Sequence, residues 1–325
     1  MAECRTARRL HQAHPLVDTL EHAAAVRLIG NTPLVRLNRF AARHGVAGRH
    51  AILLKAEWTS PGGSIKDRPA LSIVRAAIER DELGGGKALL DSTSGNTGIA
   101  YAMLGAALGF PVELVVPESA SDERKRILAA YGAKVTFSDP YDGSNGAIRL
   151  VREMAAAEPE RWFYANQYGN PANPAAHFET TGPEIWRQTG GGVTHFIAGL
   201  GTTGTMMGTG AFLKSKKSGI TLAAVQPSEA FHGIEGLKHL PTAIVPDIYD
   251  AGLPDRQIAV DTEEAYDLTR DLAATEGLFA GASTGAALGG ALEVARELGE
   301  YGDPAVIVAI APDGGGKYLS TGLWT

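Results

Sequence analysis

The heptapeptide GLGTTGT, Gly199 to Thr205, follows the apolar run THFIA and offers backbone N–H groups and three hydroxyls within one turn of chain. Glycines let the backbone approach an anion closely, and the first N–H groups of a helix lack partners of their own, so such a loop can seat phosphate. Its first six residues also fit GxGxxG, the dinucleotide fingerprint. That reading needs an acidic residue about 20 positions on, at the end of the next strand, to hold a ribose hydroxyl. The next strand, TLAAVQP, ends in Gln226 and Pro227, and Glu229 comes only after the proline. One compact phosphate therefore suits Gly201, Thr202, Thr203, Gly204 and Thr205 better than a pyrophosphate.

A second stretch, PGGSIKDRPA (61–70), places a glycine turn and a cap at Ser64 ahead of Lys66 in the first turn of a helix, with Asp67 completing a pattern like a capping box. The positive end of a helix disfavours an ammonium, so the Lys66 amine is expected to shift toward its neutral form. A neutral amine is what Schiff-base formation with an aldehyde requires. The other reading of Lys66 is a side chain that arches out to water. Two further loops, STSGNTG (92–98) and GASTGAA (281–287), share the style of the glycine loop, and each opens a helix. Any one of them alone reads as ordinary capping by Ser and Thr. Three helix starts facing one cleft would form an anion receptor. The histidines His177, His195, His232 and His239 show no pair at metal-ligand spacing, and no metal is expected.

The elements that must hold these loops alternate between short apolar runs and longer helical patterns. Strands are predicted at 51–57, 87–91, 112–117, 133–138, 194–199, 221–227, 257–260 and 305–312. Near-continuous apolar strands separated by amphipathic helices imply an α/β fold with mostly parallel sheets covered on both faces, where ligands bind beyond the C-terminal strand ends. NQYGNPANP (166–174) marks a crossing between two such units, with a cleft between them. The chain has 325 residues, 44% of them hydrophobic, and a net charge of -6. These values fit one or two domains, and the acidic balance without basic runs argues against nucleic acid or an anionic membrane as partner. Cys4, the only cysteine, allows no internal disulfide and fits a reducing cytoplasm. Residues 1–25 read as a surface extension.

Taken in order, GSIKDRPA, STSGNTGIAYA, NQYGNPANP, GLGTTGTMMGTG, GLFAGASTGA and PDGGGKYLST closely resemble the cysteine synthases. These are the O-acetylserine or O-phosphoserine sulfhydrylases of the β-family (fold type II) of pyridoxal-phosphate enzymes. IGNTPLVRL (29–37) matches the usual opening of that family, and the likeness covers about residues 26–325. It implies a tryptophan synthase β-like fold of two open twisted, mostly parallel sheets flanked by helices, with pyridoxal 5'-phosphate in the interdomain cleft. One domain would span 60–170 and the other 26–59 plus 171–325. It also implies a cytoplasmic homodimer acting on small molecules, and a β-replacement that converts an activated L-serine to L-cysteine. Sulfide, thiosulfate or a sulfur-carrier protein could supply the sulfur.

By the same resemblance, Lys66 carries the cofactor as a Schiff base and removes the substrate α-proton. Thr93, Ser94 and Thr97, assisted by Gln167, grip the substrate carboxylate, and Asn96 bonds the cofactor 3'-oxygen. The cofactor phosphate sits on Gly201, Thr202, Thr203, Gly204 and Thr205. Many members place a serine at the pyridine nitrogen near the last strand. APDGGGKY has none, and Asp313 stands in register, where it would favour a protonated ring or simply cap the glycine turn. Lys238, in FHGIEGLKHL (231–240), falls where phosphoserine-using relatives carry a cation, or is a solvated surface lysine. Cystathionine β-synthase and serine or threonine dehydratase are the near alternatives. A dehydrogenase is weakened by Gln226 and Pro227, and a scaffold without chemistry would be expected to lack Lys66, Asn96 or Gly201.

Overall fold

The computed structural model describes residues 15–46, 48–93, 95–139, 141–300 and 302–325. Two sheets organise the chain. The elements run α1 (Pro15–His22), α2 (Ala24–Arg27), β1 (Leu34–Arg36), α3 (Asn38–Arg43), β2 (Ala51–Ala56), α4 (Asp67–Glu79), β3 (Ala88–Ser92), α5 (Asn96–Leu108), β4 (Val112–Pro117), α6 (Asp122–Ala130) and β5 (Lys134–Ser138). They continue as α7 (Gly143–Ala157), β6 (Trp162–Tyr164), α8 (Ala172–Ala176), α9 (Gly182–Gln188), β7 (His195–Gly199), α10 (Gly204–Lys216), β8 (Thr221–Pro227), β9 (Arg256–Val260), α11 (Thr262–Glu276), α12 (Ala282–Leu298) and β10 (Val306–Ala311).

One sheet has the order β5-β4-β3-β6 and is parallel throughout. The other has the order β1-β2-β10-β7-β8-β9, in which only β1 runs antiparallel to its neighbour. The near-continuous apolar sequences explain why helices cover both faces: β4 is buried at every position, and β8 at all but Thr221 and Gln226. Every predicted strand forms within a residue or two of its expected limits. β1 and β6 were not predicted, because three residues are too few to show a period. His195 lies half-buried on β7, between β10 and β8.

Cys4 and the basic start of the chain lie outside the described residues. Residues 15–25, by contrast, are more than a surface extension. Leu20 is 3% exposed and joins Val26 in the cluster formed by Ile73, Val74, Tyr101 and Leu104 of α4 and α5.

An ionic network ties the opening segment to the helix that follows Lys66. The Arg68 guanidinium bonds both oxygens of Glu57 and both of Glu184, at 2.7 to 2.9 Å, and Thr32 Oγ1 at 3.0 Å. Lys55 Nζ donates to Thr32 O, Glu184 Oε2 and Gln188 Oε1. Arg68 and Lys55 together hold the Glu184 carboxyl down to about 2, against the upward push of burial. Because Arg68 follows Lys66 by two residues, this network also fixes where α4 begins.

Candidate active site

Three loops meet in one cavity, two of them leaving the C-terminal ends of β3 and β7 and the third held beside the end of β10 by the pairing of Ala280 with Gly314. STSGNTG leads from β3 into α5, GLGTTGT from β7 into α10, and GASTGAA opens α12. Lys66, Thr93, Asn96, Thr97, Gln167, Gly201, Thr202, Thr203, Thr205 and Lys238 all line the cavity. Ser94 lies outside the described residues.

Lys66 immediately precedes α4 rather than standing in its first turn. Ser64 and Asp67 do not form a reciprocal box: Ser64 Oγ accepts from Lys66 N at 3.3 Å, whereas Asp67 Oδ2 reaches back to Gly62 N at 2.7 Å. Asp67 is wholly buried, as Ser64 is, and burial lifts its carboxyl to about 7. Among the described residues no acceptor bonds Lys66 Nζ. Desolvation is the main cause of its lowered pKa, with Lys317 adding to the effect and Asp313 and Glu57 opposing it. Burial, more than the helix end, keeps this amine toward its neutral form.

The glycine loop is built for close approach. A Cβ at Gly201 would overlap Gly236 O, and one at Gly204 would overlap Asn173 Oδ1. Thr203 adopts a left-handed φ of 70°, and its buried Oγ1 has no hydrogen-bond partner. A β-branched residue held in this region without a partner marks a ligand position. Thr205 Oγ1 lies 3.3 Å from Nε2 of the buried His177. Burial and the fields of Arg68 and Lys66 keep His177 neutral, its pKa well below the usual histidine value.

On the opposite wall, Thr93 Oγ1 accepts from Gly95 N and Gly98 N, which fixes the turn into α5. Thr97 Oγ1 donates to Gln167 Oε1 at 2.7 Å, and Gln167 Nε2 donates to Ser92 O. The Asn96 amide is occupied at both ends: Nδ2 donates to Asp313 Oδ2 at 2.7 Å, and Oδ1 accepts from Lys317 Nζ at 2.9 Å. Lys317 Nζ also bonds Gly62 O and Gly63 O, so it straps the turn before Lys66 to the start of α5.

Asp313 is buried but does not line the cavity. Backbone pairing with Ser64 carries its side chain to Asn96 and to Tyr318, whose hydroxyl donates to it at 2.8 Å. Among the wall residues that the sequence reading does not single out is Ser283, at the start of α12. Its signal is the GASTGAA loop itself, which resembles the other two. Lys238 is no solvated surface lysine: it is 6% exposed, its Nζ lies 3.2 Å from Ser144 Oγ and 4.9 Å from the centre of the Tyr168 ring, and desolvation lowers its pKa to about 8.

Residues 26–313 match the family described as pyridoxal-phosphate dependent enzymes. A cysteine synthase of Aquifex aeolicus is 51% identical over 300 residues, covering 92% of this chain and 91% of that protein. Cysteine synthase B of Escherichia coli is 42% identical, covering 91% of this chain and 94% of the relative. Among solved structures, cysteine synthase from Entamoeba histolytica superposes with a TM-score of 0.85 at 35% identity, covering all of this chain and 94% of that one. An O-ureido-L-serine synthase gives 0.85 at 38% identity, covering 92% of each chain. The chain belongs to the pyridoxal-phosphate dependent enzymes, and its cofactor is pyridoxal 5'-phosphate.

The cavity fits that group. The orphaned Thr203 hydroxyl and the close-approach glycines suit its phosphate, and the unpartnered Lys66 amine suits its aldehyde.

Proposed function

We propose that the protein is a cysteine synthase, which breaks the Cβ–O bond of an activated L-serine and forms a Cβ–S bond with sulfide to give L-cysteine. The observation that carries this reading is the cavity itself: an unpartnered, desolvated Lys66 amine lies between a phosphate-sized glycine loop and a second helix start at Asn96. Bound pyridoxal 5'-phosphate supplies an electron sink for negative charge at the substrate α-carbon.

The protein supplies attachment, orientation and proton transfer. Lys66 Nζ attaches the cofactor and is the base that takes the α-proton. Gly201, Thr202, Thr203, Gly204 and Thr205 hold the phosphate through backbone N–H groups and hydroxyls, with His177 orienting Thr205. Thr93 and Thr97, at the turn into α5, and Gln167, which follows β6, receive the substrate carboxylate where the helix end favours an anion, and Ser94 shares that role by the family likeness. Asn96 stands at the cofactor's 3'-oxygen, its amide fixed by Asp313 and Lys317. Ser283 is the wall hydroxyl available to the ring nitrogen, and Asp313 acts through Asn96.

The buried Lys238 favours a phosphate as the serine's leaving group, because a desolvated cation stabilises a dianion more than it does a neutral ester. A homodimer in the cytoplasm belongs to the same proposal and rests on the family likeness; sedimentation at assay concentration checks the first part.

Purified enzyme should be yellow, lose its colour with borohydride, and form cysteine from sulfide and either O-phospho-L-serine or O-acetyl-L-serine, with the phosphoester preferred. Deamination of serine or threonine without cysteine formation from either ester would move the reading to a dehydratase.

A further inference from the structure

The sequence SDERKR looks like a solvated helix face, yet one of its cations turns inward. Arg124 is the only buried charged residue of α6, and it lines the cavity together with Lys66 and Lys238. Its Nη1 pairs with Glu235, its guanidinium carbon lies 4.8 Å from the Tyr318 ring centre, and its buried Nε has no acceptor. A guanidinium presents five donors in a rigid fork, so this one has bonding capacity in reserve. Glu235 sits three residues before Lys238 on the same loop, also lines the cavity, and is 35% exposed. Arg124 thus pairs with one partly hydrated carboxylate, while among the described residues the only oxygen that Lys238 Nζ bonds is the Ser144 hydroxyl. A buried cation needs a counter-ion, and a half-exposed carboxylate is one that water can take back.

We infer that Arg124 is the second cation of a subsite for an anionic leaving group, shared with Lys238, and that Glu235 is the counter-ion an arriving anion displaces. The inference rests on the phosphate reading of Lys238. Arg124 belongs to the unit of the four-stranded sheet and Glu235 to a loop that follows β8 of the six-stranded one. The competing account is therefore a structural bolt between the two units. In a bolt, losing either partner has the same consequence. In a displaced counter-ion, the two losses have opposite signs.

The test measures inorganic phosphate on the holoenzyme, both by calorimetry and as an inhibitor of O-acetyl-L-serine turnover, with cofactor absorbance confirming that each variant is loaded. Arg124→Gln should weaken phosphate binding about tenfold or more, the scale of one charge-assisted hydrogen bond, and Arg124→Lys should weaken it less. Glu235→Gln should tighten phosphate binding about threefold or more, because the competitor has gone. Equal weakening by Arg124→Gln and Glu235→Gln would make the pair a bolt and overturn the inference. Weakening by Lys238→Gln but not by Arg124→Gln would also overturn it, while leaving the phosphate reading intact. If Lys238→Gln changes nothing, the phosphate reading itself fails, and the inference with it. Should Arg124→Gln lose the cofactor, Glu235→Gln decides alone, since only displacement predicts tighter binding.

Discussion

Lys55, inside β2, and Lys66, just before α4, are near neighbours in sequence, and desolvation lowers the pKa of both. Their company differs. Lys55 Nζ spends its three protons on Thr32 O, Glu184 and Gln188 and is wholly enclosed. Lys66 Nζ has no acceptor among the described residues and borders a cavity. The first arrangement satisfies a charge, and the second leaves an amine ready to react. The same contrast separates Arg68, bonded to two carboxylates through its whole fork, from Arg124, whose Nε is left over. Burial alone does not mark function in this protein; at Lys66 and Arg124 it coincides with unused bonding capacity beside the cavity.

The contrast is tested most severely at Lys66. Lys66→Ala should remove the Schiff-base absorbance and lower β-replacement by about 10³-fold or more, with little change in melting temperature, since Nζ bonds no acceptor among the described residues. Retained turnover would sink the assignment. Glu184→Ala should do the reverse. It leaves Lys55 and Arg68 underpaired in the interior and should cost about 3–5 kcal/mol of folding stability, seen as a lower denaturation midpoint. An unchanged midpoint would mean that the network is not what anchors α4.

Thr203 offers a smaller and sharper probe. Thr203→Val keeps the shape and removes the buried orphan hydroxyl. In the protein without cofactor this should be neutral or stabilising, while cofactor affinity drops about tenfold, the scale of one hydrogen bond to a charged group. Loss of apoprotein stability would show instead that the hydroxyl serves the fold.

Much of this was legible in the sequence, and the gaps have physical causes. Strands buried on both faces read as unbroken apolar runs, which is why β4 and β8 were predicted to the residue. The three loops were legible because helix starts that receive an anion need Gly, Ser and Thr together. What the sequence hid was orientation. Nothing in DERKR says that Arg124 faces in while Lys125 and Arg126 do not, although Leu128, four residues on, shares its buried face. Asp313 and Ser283 were both visible as polar residues at strand and helix ends, but only the backbone pairing of Asp313 with Ser64 decides which of them turns away from the cavity. Lys238 reads equally as a cation for the leaving group or as a solvated lysine, because a loop without periodicity carries no burial signal.

The finest distinction concerns Lys238, which lies between the two extremes: bonded to one hydroxyl, facing the cavity, and lowered to about 8 by desolvation alone. Its cationic form is the one that binds a dianion. Below pH 8 the free enzyme carries that charge, and as pH rises through 8 the charge is lost. The kcat/KM for O-phospho-L-serine should therefore fall along a limb centred near pH 8, since kcat/KM reports ionisations of the free enzyme. O-acetyl-L-serine has no charge at its leaving group, so the ratio of the two specificity constants isolates Lys238 from any ionisation they share at Lys66. That ratio should fall across pH 7 to 9 in the parent and be flat in Lys238→Ala. A flat ratio in the parent would place Lys238 with Lys55, as a cation whose burial serves the fold.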